Sequence, residues 1–359
     1  MVDIKRPDRK QWMVHPRHLL LCITLLLQAC GTGQTDHKET LYIFGTLVEI
    51  MAYTEDGQAF SRSVQELDRM FQVMHRDWHA WKGDGELVRL NRALARGETF
   101  RVSPELMELL QRGQRYAALS DDLFNPAVGR LIGLWGFHQD ELPQGTPPDK
   151  DAIAKLVEAA PRMRDLRIDS STVSSSNPWV ELDLGAYAKG YALNLAVNLL
   201  KSKGLEQVIV NAGGDLCAAG MHGERPWRIG IRHPQGSGVI AALEVSGDEC
   251  VLTSGNYERY RELQGIRYSH IVDPRTGYPV THVASATVIH RDGGLADAAA
   301  TALSVAGPDD WQRIAARMGV DQVMLVDEAG RVYLTPAMQQ RVRFDSEVPE
   351  VILAEPHGE

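Results

Sequence analysis

The sequence has few cysteines, four in 359 residues, at Cys22, Cys30, Cys217 and Cys250. None of them forms a Cys-x-x-Cys pair, so neither a thiolate zinc site nor a disulfide-stapled scaffold is indicated. Any bound metal is therefore expected to have oxygen ligands. A basic surplus is absent as well, because the formal net charge is −9. Binding to a phosphate backbone needs an excess of cations, so a nucleic-acid partner is disfavoured.

A long apolar run is also missing. The run Leu19–Leu27 follows five Lys and Arg residues and is too short to span a bilayer, but it has the length of a signal-peptide core. It closes with Leu27-Gln28-Ala29-Cys30, which resembles the lipobox of bacterial lipoproteins, where cleavage leaves a diacylated cysteine. We therefore predict a signal peptide at residues 1–29, lipid on Cys30 and a position on the periplasmic side of a membrane. The alternative is an ordinary cleavage site beside an unmodified thiol.

The rest of the chain divides by composition. Residues 30–40 are polar and predict a flexible tether, and residues 341–359 predict a loose C-terminal tail. Between them, residues 41–340 form the predicted domain. The overall 44% hydrophobic and 24% charged content is that of an ordinary globular protein.

The patterns within the domain predict an α+β fold. Leu41 to Ala52 is typical of a strand, and apolar residues from Phe60 to Met74 then recur at helical spacing. A second helix is expected with Ser103 as N-cap and Pro104 at its first position. Short strand-like runs dominate from Val208 onward. Since strands and helices do not alternate as in a doubly wound fold, we predict largely antiparallel sheets with packed helices.

One motif, Asp183-Leu184-Gly185-Ala186-Tyr187-Ala188-Lys189-Gly190, ends a strand-like stretch and opens a helix. Free backbone N–H groups and the helix dipole favour phosphate at such a point, and Lys189 adds a positive charge. The alternative is an ordinary turn with a solvated lysine.

A second motif contains Asp297 and Thr301, which are four residues apart and so share one helical face among small apolar residues. A carboxylate and a hydroxyl are hard oxygen ligands of the kind that Mg²⁺ prefers. By spacing alone, the two residues could equally cap and pack the helix.

Three further segments add to these two. The turn from Asp122 to Gly129 precedes the aromatic residues Trp135 and Phe137. The pair Gly213-Gly214 follows a strand, where a backbone passes close to a ligand or to another strand. His270 precedes a tight Asp-Pro-x-Thr-Gly turn.

Together and in this order, these segments resemble the ApbE family of FAD:protein FMN transferases. The resemblance runs from Tyr42 to Leu334. It is carried by Phe44-Gly45-Thr46, Gly85 to Asn91, Phe124 to Phe137, Leu182 to Ala192, Asn211 to Asp215, Gly230 to Pro234, Thr253-Ser254-Gly255, His270 to Gly277 and Ala296 to Leu303. It implies the T-fold-like architecture of that family, with the flavin site between two subdomains.

The resemblance also implies the site residues. Mg²⁺ would be held by Asp297, Thr301 and the backbone carbonyl of Ala186. FAD would contact Phe44, Trp81, Ala127, Val128, Gly129, Asp183, Lys189 and Ile271. Three positions depart from the family pattern, since Phe44 replaces methionine, Trp81 replaces tyrosine and Asn125 stands where aspartate is common.

The implied reaction is Mg²⁺-dependent transfer of FMN from FAD to a threonine or serine of another protein through a phosphoester bond, with release of AMP. His270 is the first candidate for a general base and Asp183 the alternative. The implied acceptors are exported or periplasm-facing subunits of redox complexes, such as the sodium-pumping NADH:quinone reductase. A Mg²⁺-dependent FAD pyrophosphatase remains open. A non-catalytic flavin-binding lipoprotein is disfavoured because storage of FAD needs no metal site.

Overall fold

The computed structural model describes residues 33–354, apart from 140, 144, 264, 346 and 349. Its strands are β1 Thr35–Ile43, β2 Thr46–Thr54, β3 Phe100–Arg101, β4 Leu166–Asp169, β5 Thr172–Ser175, β6 Val208–Ala212, β7 Asp215–Ala219, β8 Trp227–Arg232, β9 Val239–Val245, β10 Glu249–Gly255, β11 Tyr260–Leu263, β12 Ile266–Ser269, β13 Val283–His290, β14 Gln322–Asp327, β15 Val332–Leu334, β16 Arg343–Phe344 and β17 Val351–Leu353. Its α-helices are α1 Gly57–Asp77, α2 Glu86–Ala95, α3 Pro104–Leu119, α4 Gly129–Leu134, α5 Lys150–Ala159, α6 Ala188–Ser202, α7 Gly293–Met318 and α8 Pro336–Arg341.

The strands form one nine-stranded sheet in the order β1-β2-β6-β7-β10-β13-β14-β15-β17, together with three small sheets. Neighbours in the large sheet are antiparallel except for β15 and β17, which run parallel. The predicted α+β class with largely antiparallel sheet is therefore confirmed.

Alternation along the strands shows that the large sheet is covered on both faces. Cys217 and Ala219 of β7 belong to the main core, which contains α1, α3, α6 and α7. Leu216 and Ala218 point to the opposite face, against β8, β9 and α8. Since successive side chains of a strand point to opposite faces, the inner strands of this sheet contribute to both cores, whereas the edge strands β1 and β17 contribute to the main core.

Local signals in the sequence place two helices correctly. The Asp56 side chain accepts a hydrogen bond from the Ala59 N–H at 2.7 Å and so begins α1. Ser103 caps α3 and Pro104 occupies its first turn, as the sequence predicts. These features depend only on neighbouring residues, which is why a sequence reveals them.

The beginning of the domain differs from the prediction. Residues 35–40, expected as part of a tether, belong to β1, which pairs with β2 from Thr35 opposite Thr54 to Ile43 opposite Thr46. The expected single strand is thus a hairpin. Its turn residues Phe44 and Gly45 have φ of 57° and 75°. Positive φ at both central residues is what a two-residue hairpin turn requires.

The end of the chain also contains structure where a loose tail is expected. The strand β16 pairs with β9, and β17 pairs with β15. These pairings satisfy backbone groups of two strands that have only two and three residues, too few to show a periodic hydrophobic pattern. In the part of the chain from residue 33 to 354 that the structure describes, no helix is long and apolar enough to cross a membrane.

Cys217 and Cys250 form a disulfide across the neighbouring strands β7 and β10, where they lie directly opposite each other. Both are buried, with 1% exposure. The disulfide lies beneath the start of α7, because a Cβ added to Gly293 would lie within 3.1 Å of both sulfur atoms. It therefore ties together the strands that support this helix.

Candidate functional site

The two motifs of the sequence meet where the first turns of α6 and α7 touch. A Cβ added to Gly190 would lie 2.2 Å from the carbonyl oxygen of Gly293, and one added to Gly293 would lie 2.5 Å from that of Gly190. Only glycine permits such an approach of two backbones. The contact brings the segment around Lys189 against Asp297.

Asp297 faces this junction. Its Oδ2 accepts a hydrogen bond from the Gly190 N–H at 2.9 Å, and the residue is only 6% exposed. It does not cap its own helix, because Asp292 is the N-cap of α7 and accepts from the Leu295 N–H at 3.1 Å. The capping interpretation of Asp297 is therefore wrong.

Thr301 lies one helical turn further on, and its hydroxyl is 3.2 Å from that of Ser254 on β10. Ala186, whose carbonyl is the third expected ligand, lies two residues before α6 begins. Within the described ranges, no group of three or more His, Cys, Asp or Glu side chains forms a metal site. A cation held here would thus depend on one carboxylate together with hydroxyl and carbonyl oxygens.

The electrostatics of the junction favour a cation. Lys189 forms an ion pair with Asp215, whose Oδ1 accepts a hydrogen bond from the Thr253 N–H at 2.8 Å. Burial and then the negative charge of Asp215 raise the pKa of Asp297 well above its ordinary value, although Lys189 opposes them. Two buried carboxylates therefore share one lysine, and a second positive charge would stabilise the ionised form of Asp297.

A row of aromatic rings leads from the β1–β2 turn to Asp183. The ring of Phe44 lies 6.0 Å from that of His75, His75 lies 5.6 Å from His79, and His79 lies 4.3 Å from Trp81. The ring of His138 then stacks on Trp81 at 4.5 Å. The predicted FAD contacts Phe44 and Trp81 are thus joined through histidines that the sequence motifs do not include.

Asp183 lies at the end of this row, beside His138. Its Oδ1 accepts a hydrogen bond from the Gly185 N–H at 2.9 Å, and its Oδ2 lies 2.9 Å from Nε2 of His138. Burial raises the pKa of Asp183, but the hydrogen bond and charge of His138 outweigh burial and leave that pKa below its ordinary value. Asp183 is therefore an ionised hydrogen-bond acceptor at neutral pH.

The predicted Ala127-Val128-Gly129 turn is held beside Asp183 by backbone contacts. The Gly129 N–H donates to the Glu181 carbonyl at 2.7 Å, and the Asp183 N–H donates to the Pro126 carbonyl at 2.8 Å. A Cβ on Gly129 would lie 2.6 Å from the Glu181 carbonyl oxygen. The unusual Asn125 stabilises this turn, since its Oδ1 accepts from the Ala127 N–H at 3.1 Å.

His270 follows β12, and its Nδ1 lies 3.0 Å from the carbonyl oxygen of Arg259. Because a carbonyl only accepts, Nδ1 carries the proton and Nε2 keeps a free lone pair. Burial lowers the pKa of His270 to about 4. The next residue, Ile271, is only 6% exposed, and its backbone N–H donates to the Ser269 hydroxyl at 3.0 Å while its carbonyl accepts from the Val280 N–H at 2.8 Å. His270 is thus a neutral imidazole at physiological pH, as a general base needs to be.

Fold and junction together define an α+β protein with a buried acidic cluster at two helix N-termini and a row of aromatic rings that ends at Asp183. Comparisons with known proteins agree. The model of the ApbE family matches residues 44–324. The FAD:protein FMN transferase of Rhodobacter capsulatus is 48% identical over 307 residues, which is 86% of this chain and 58% of that longer protein. The one of Vibrio cholerae is 30% identical over 88% of this chain and 94% of its own length.

Solved structures give the same result. A crystal structure of the ApbE protein of Thermotoga maritima has a TM-score of 0.77 at 29% identity, covering 87% of this chain and all of that one. The flavin transferase ApbE from Vibrio cholerae has a TM-score of 0.76 at 28% identity, covering 86% of this chain and 99% of that one. The chain belongs to the ApbE family. The predicted family, fold class and enzyme class, a flavin transferase, are confirmed.

Proposed function

We propose that this transferase moves FMN from FAD to a threonine or serine hydroxyl of an exported protein and requires Mg²⁺. In the reaction, a bond forms between the hydroxyl oxygen and the FMN phosphorus, the pyrophosphate bond breaks, and AMP leaves. The main observation in support is the buried Asp297 carboxylate, which shares one lysine with Asp215 at the junction of two helix N-termini.

The residues present suit a hard cation. Asp297, the Thr301 hydroxyl and the Ala186 carbonyl would hold Mg²⁺, which when bound neutralises negative charge on the pyrophosphate. The starts of α6 and α7 point backbone N–H groups and positive dipole ends to the same region. Lys189 is oriented there by its ion pair with Asp215. The protein's own contribution is thus positioning and fixed electrostatics.

His270 is the better candidate for the base. Its Nε2 is unprotonated and would take the proton of the attacking hydroxyl, while Arg259 holds the ring through Nδ1. Both oxygens of Asp183 already accept hydrogen bonds, from Gly185 and from His138, whereas Nε2 of His270 keeps its lone pair because the ring is held through Nδ1. Asp183 instead suits recognition of an N–H group on a ligand.

Incubation with FAD, Mg²⁺ and a candidate acceptor domain, followed by intact mass measurement, tests the proposal. The acceptor is expected to gain the mass of FMN less one water and to keep it after denaturation. Replacing the target threonine by alanine should remove the gain, whereas serine should keep part of it. AMP should equal bound FMN.

Two other outcomes overturn the transferase. Equal release of AMP and free FMN with or without acceptor identifies a pyrophosphatase. Binding of FAD without any AMP identifies a storage protein.

We also propose that the protein is lipid-anchored at Cys30 on the periplasmic side of the membrane and acts there on subunits of redox complexes. Cys30 and the proposed signal peptide lie outside the described residues. The disulfide between Cys217 and Cys250 supports export, because such bonds persist mainly in oxidising compartments.

Metabolic labelling with a fatty acid tests the anchor. Wild type should incorporate label and move with the membrane fraction, because acylation of Cys30 supplies the hydrophobic attachment. Cys30→Ser should incorporate none and be found in the soluble fraction, with Cys22→Ser as the matched control. Equal labelling of wild type and Cys30→Ser would refute the anchor.

A further inference from the structure

One residue occupies two groups of the proposed FAD site at once. The His138 ring stacks on Trp81 with centroids 4.5 Å apart and an angle of 12° between the planes. The same ring places Nε2 2.9 Å from Oδ2 of Asp183. The other oxygen of Asp183 is taken by the Gly185 N–H. The stacking face and the free carboxylate oxygen are therefore both filled by His138.

The two contacts of His138 indicate which kind of ligand could replace it. A planar ring that stacks on Trp81 and donates an N–H to Asp183 is what an imidazole provides here. Isoalloxazine and adenine are also planar nitrogen heterocycles with N–H donors. The other neighbours of Trp81 are His79, which meets its ring edge-on at 4.3 Å, and the Arg259 guanidinium, 6.0 Å from the ring centre. A ligand ring that stacks on Trp81 would therefore take the face that His138 covers.

We infer that His138 is a placeholder in the ring-binding site, and that a heterocycle of FAD displaces it from Trp81 and Asp183. This inference rests on the proposed use of FAD. His138 thereby tunes the affinity for FAD and favours a ligand ring that both stacks and donates a hydrogen bond. A ring able to do only one of these would not replace both contacts.

The surroundings of His138 allow the exchange. Arg261 fixes the segment on both sides of it, with Nη1 donating to the Trp135 carbonyl at 2.8 Å and Nε to the Pro143 carbonyl at 3.0 Å. The loop can therefore stay in place while the His138 side chain rotates to another rotamer. The side chain is 11% exposed, and its Nδ1 lies 3.7 Å from Oε1 of Glu181, a contact that the rotation also breaks.

Titration of FAD in the presence of Mg²⁺, followed by tryptophan fluorescence and by calorimetry, tests the inference. His138→Ala should bind FAD about five- to tenfold more tightly than wild type, because the ligand no longer competes with a stacked ring and a hydrogen bond. The melting temperature of the ligand-free variant should fall slightly, since Asp183 loses a partner. His138→Gln can donate to Asp183 but cannot stack, so its affinity for FAD should lie between those of wild type and His138→Ala.

His222 offers a matched control. It stacks on Trp227 at 4.7 Å and its Nε2 lies 2.5 Å from Asp36, so it makes the same two kinds of contact. Asp36 lies opposite Tyr53, at the far end of the hairpin from Phe44. His222→Ala should lower the melting temperature comparably and leave the affinity for FAD unchanged.

Titrations with FMN and with AMP distinguish the two rings. The gain in His138→Ala should appear with FMN if isoalloxazine takes the Trp81 face, and with AMP if adenine does. If wild type binds FAD and His138→Ala binds FAD, FMN and AMP no more tightly than wild type does, the ligand does not displace His138 and the inference fails. If wild type does not bind FAD at all, the proposed function fails instead.

Discussion

Asp297→Asn should lower Mg²⁺-dependent turnover by about a thousandfold, because it removes the only full charge among the proposed ligands, an effect of several kcal/mol. The fold should survive, since an asparagine oxygen can still accept the Gly190 N–H. Turnover is measured as AMP release at saturating FAD and acceptor across a Mg²⁺ series. A melting curve without metal gives a second readout.

The direction in which the melting temperature changes with pH follows from the pKa of Asp297. The pKa of Asp297 is raised in the folded metal-free protein, so stability is lost as pH rises and the buried carboxyl ionises. Asp297→Asn should therefore melt no lower than wild type without metal, with its advantage growing toward alkaline pH. Mg²⁺ should raise the melting temperature of wild type only.

Thr301→Ala is the control for the metal site. It lies on the same face of α7, but a neutral hydroxyl contributes less to a divalent ion than a carboxylate. We expect a milder loss of turnover that higher Mg²⁺ partly restores. Undiminished turnover of Asp297→Asn at ordinary Mg²⁺ concentrations would show that the metal lies elsewhere.

His270→Ala should slow transfer by about a hundred- to a thousandfold, the usual contribution of a general base. In wild type the rate should stay level from pH 8 down to about 5, because burial holds the pKa of His270 at about 4. An unperturbed histidine would give a decline near pH 6.5. Single-turnover rates at saturating Mg²⁺, FAD and acceptor measure this profile.

His270→Asn separates the base from its structural contact. Its amide can donate to the Arg259 carbonyl as Nδ1 does, but it offers no group in place of Nε2. We expect it to be as slow as His270→Ala while melting closer to wild type. A full rate in His270→Asn would move the role of base to another group, with Asp183 next in line.

Stability gives a further check on His270. Its pKa is lower in the folded state than in the unfolded chain, so wild type should lose stability as pH falls from about 6.5 to 4. Both variants should lack this part of the acid dependence.

Local features of the fold were predictable from the sequence. Ser103 and Pro104 mark the beginning of α3, and the spacing of apolar residues from Phe60 to Met74 indicates the helix α1. Residues 35–40 of β1 were not predictable as strand, because they lie at the sheet edge and are mostly exposed and polar. Such a strand lacks the hydrophobic alternation by which strands are recognised.

The sequence by itself determined the family, through ordered motifs whose residues are close along the chain. It also placed Asp297 and Thr301 on one helical face, since helical periodicity fixes that relation. It did not reveal His138, whose partners Trp81 and Asp183 are 57 and 45 positions away.

Tertiary structure alone decided the contacts between distant segments. It paired Cys217 with Cys250 through the register of two strands, and it brought Gly190 against Gly293 so that Asp297 met Lys189 and Asp215. The pKa values of Asp297 and His270 follow from the same packing. Burial and neighbouring charges set them, and these depend on how the sheet and helices close around the site rather than on any local sequence pattern.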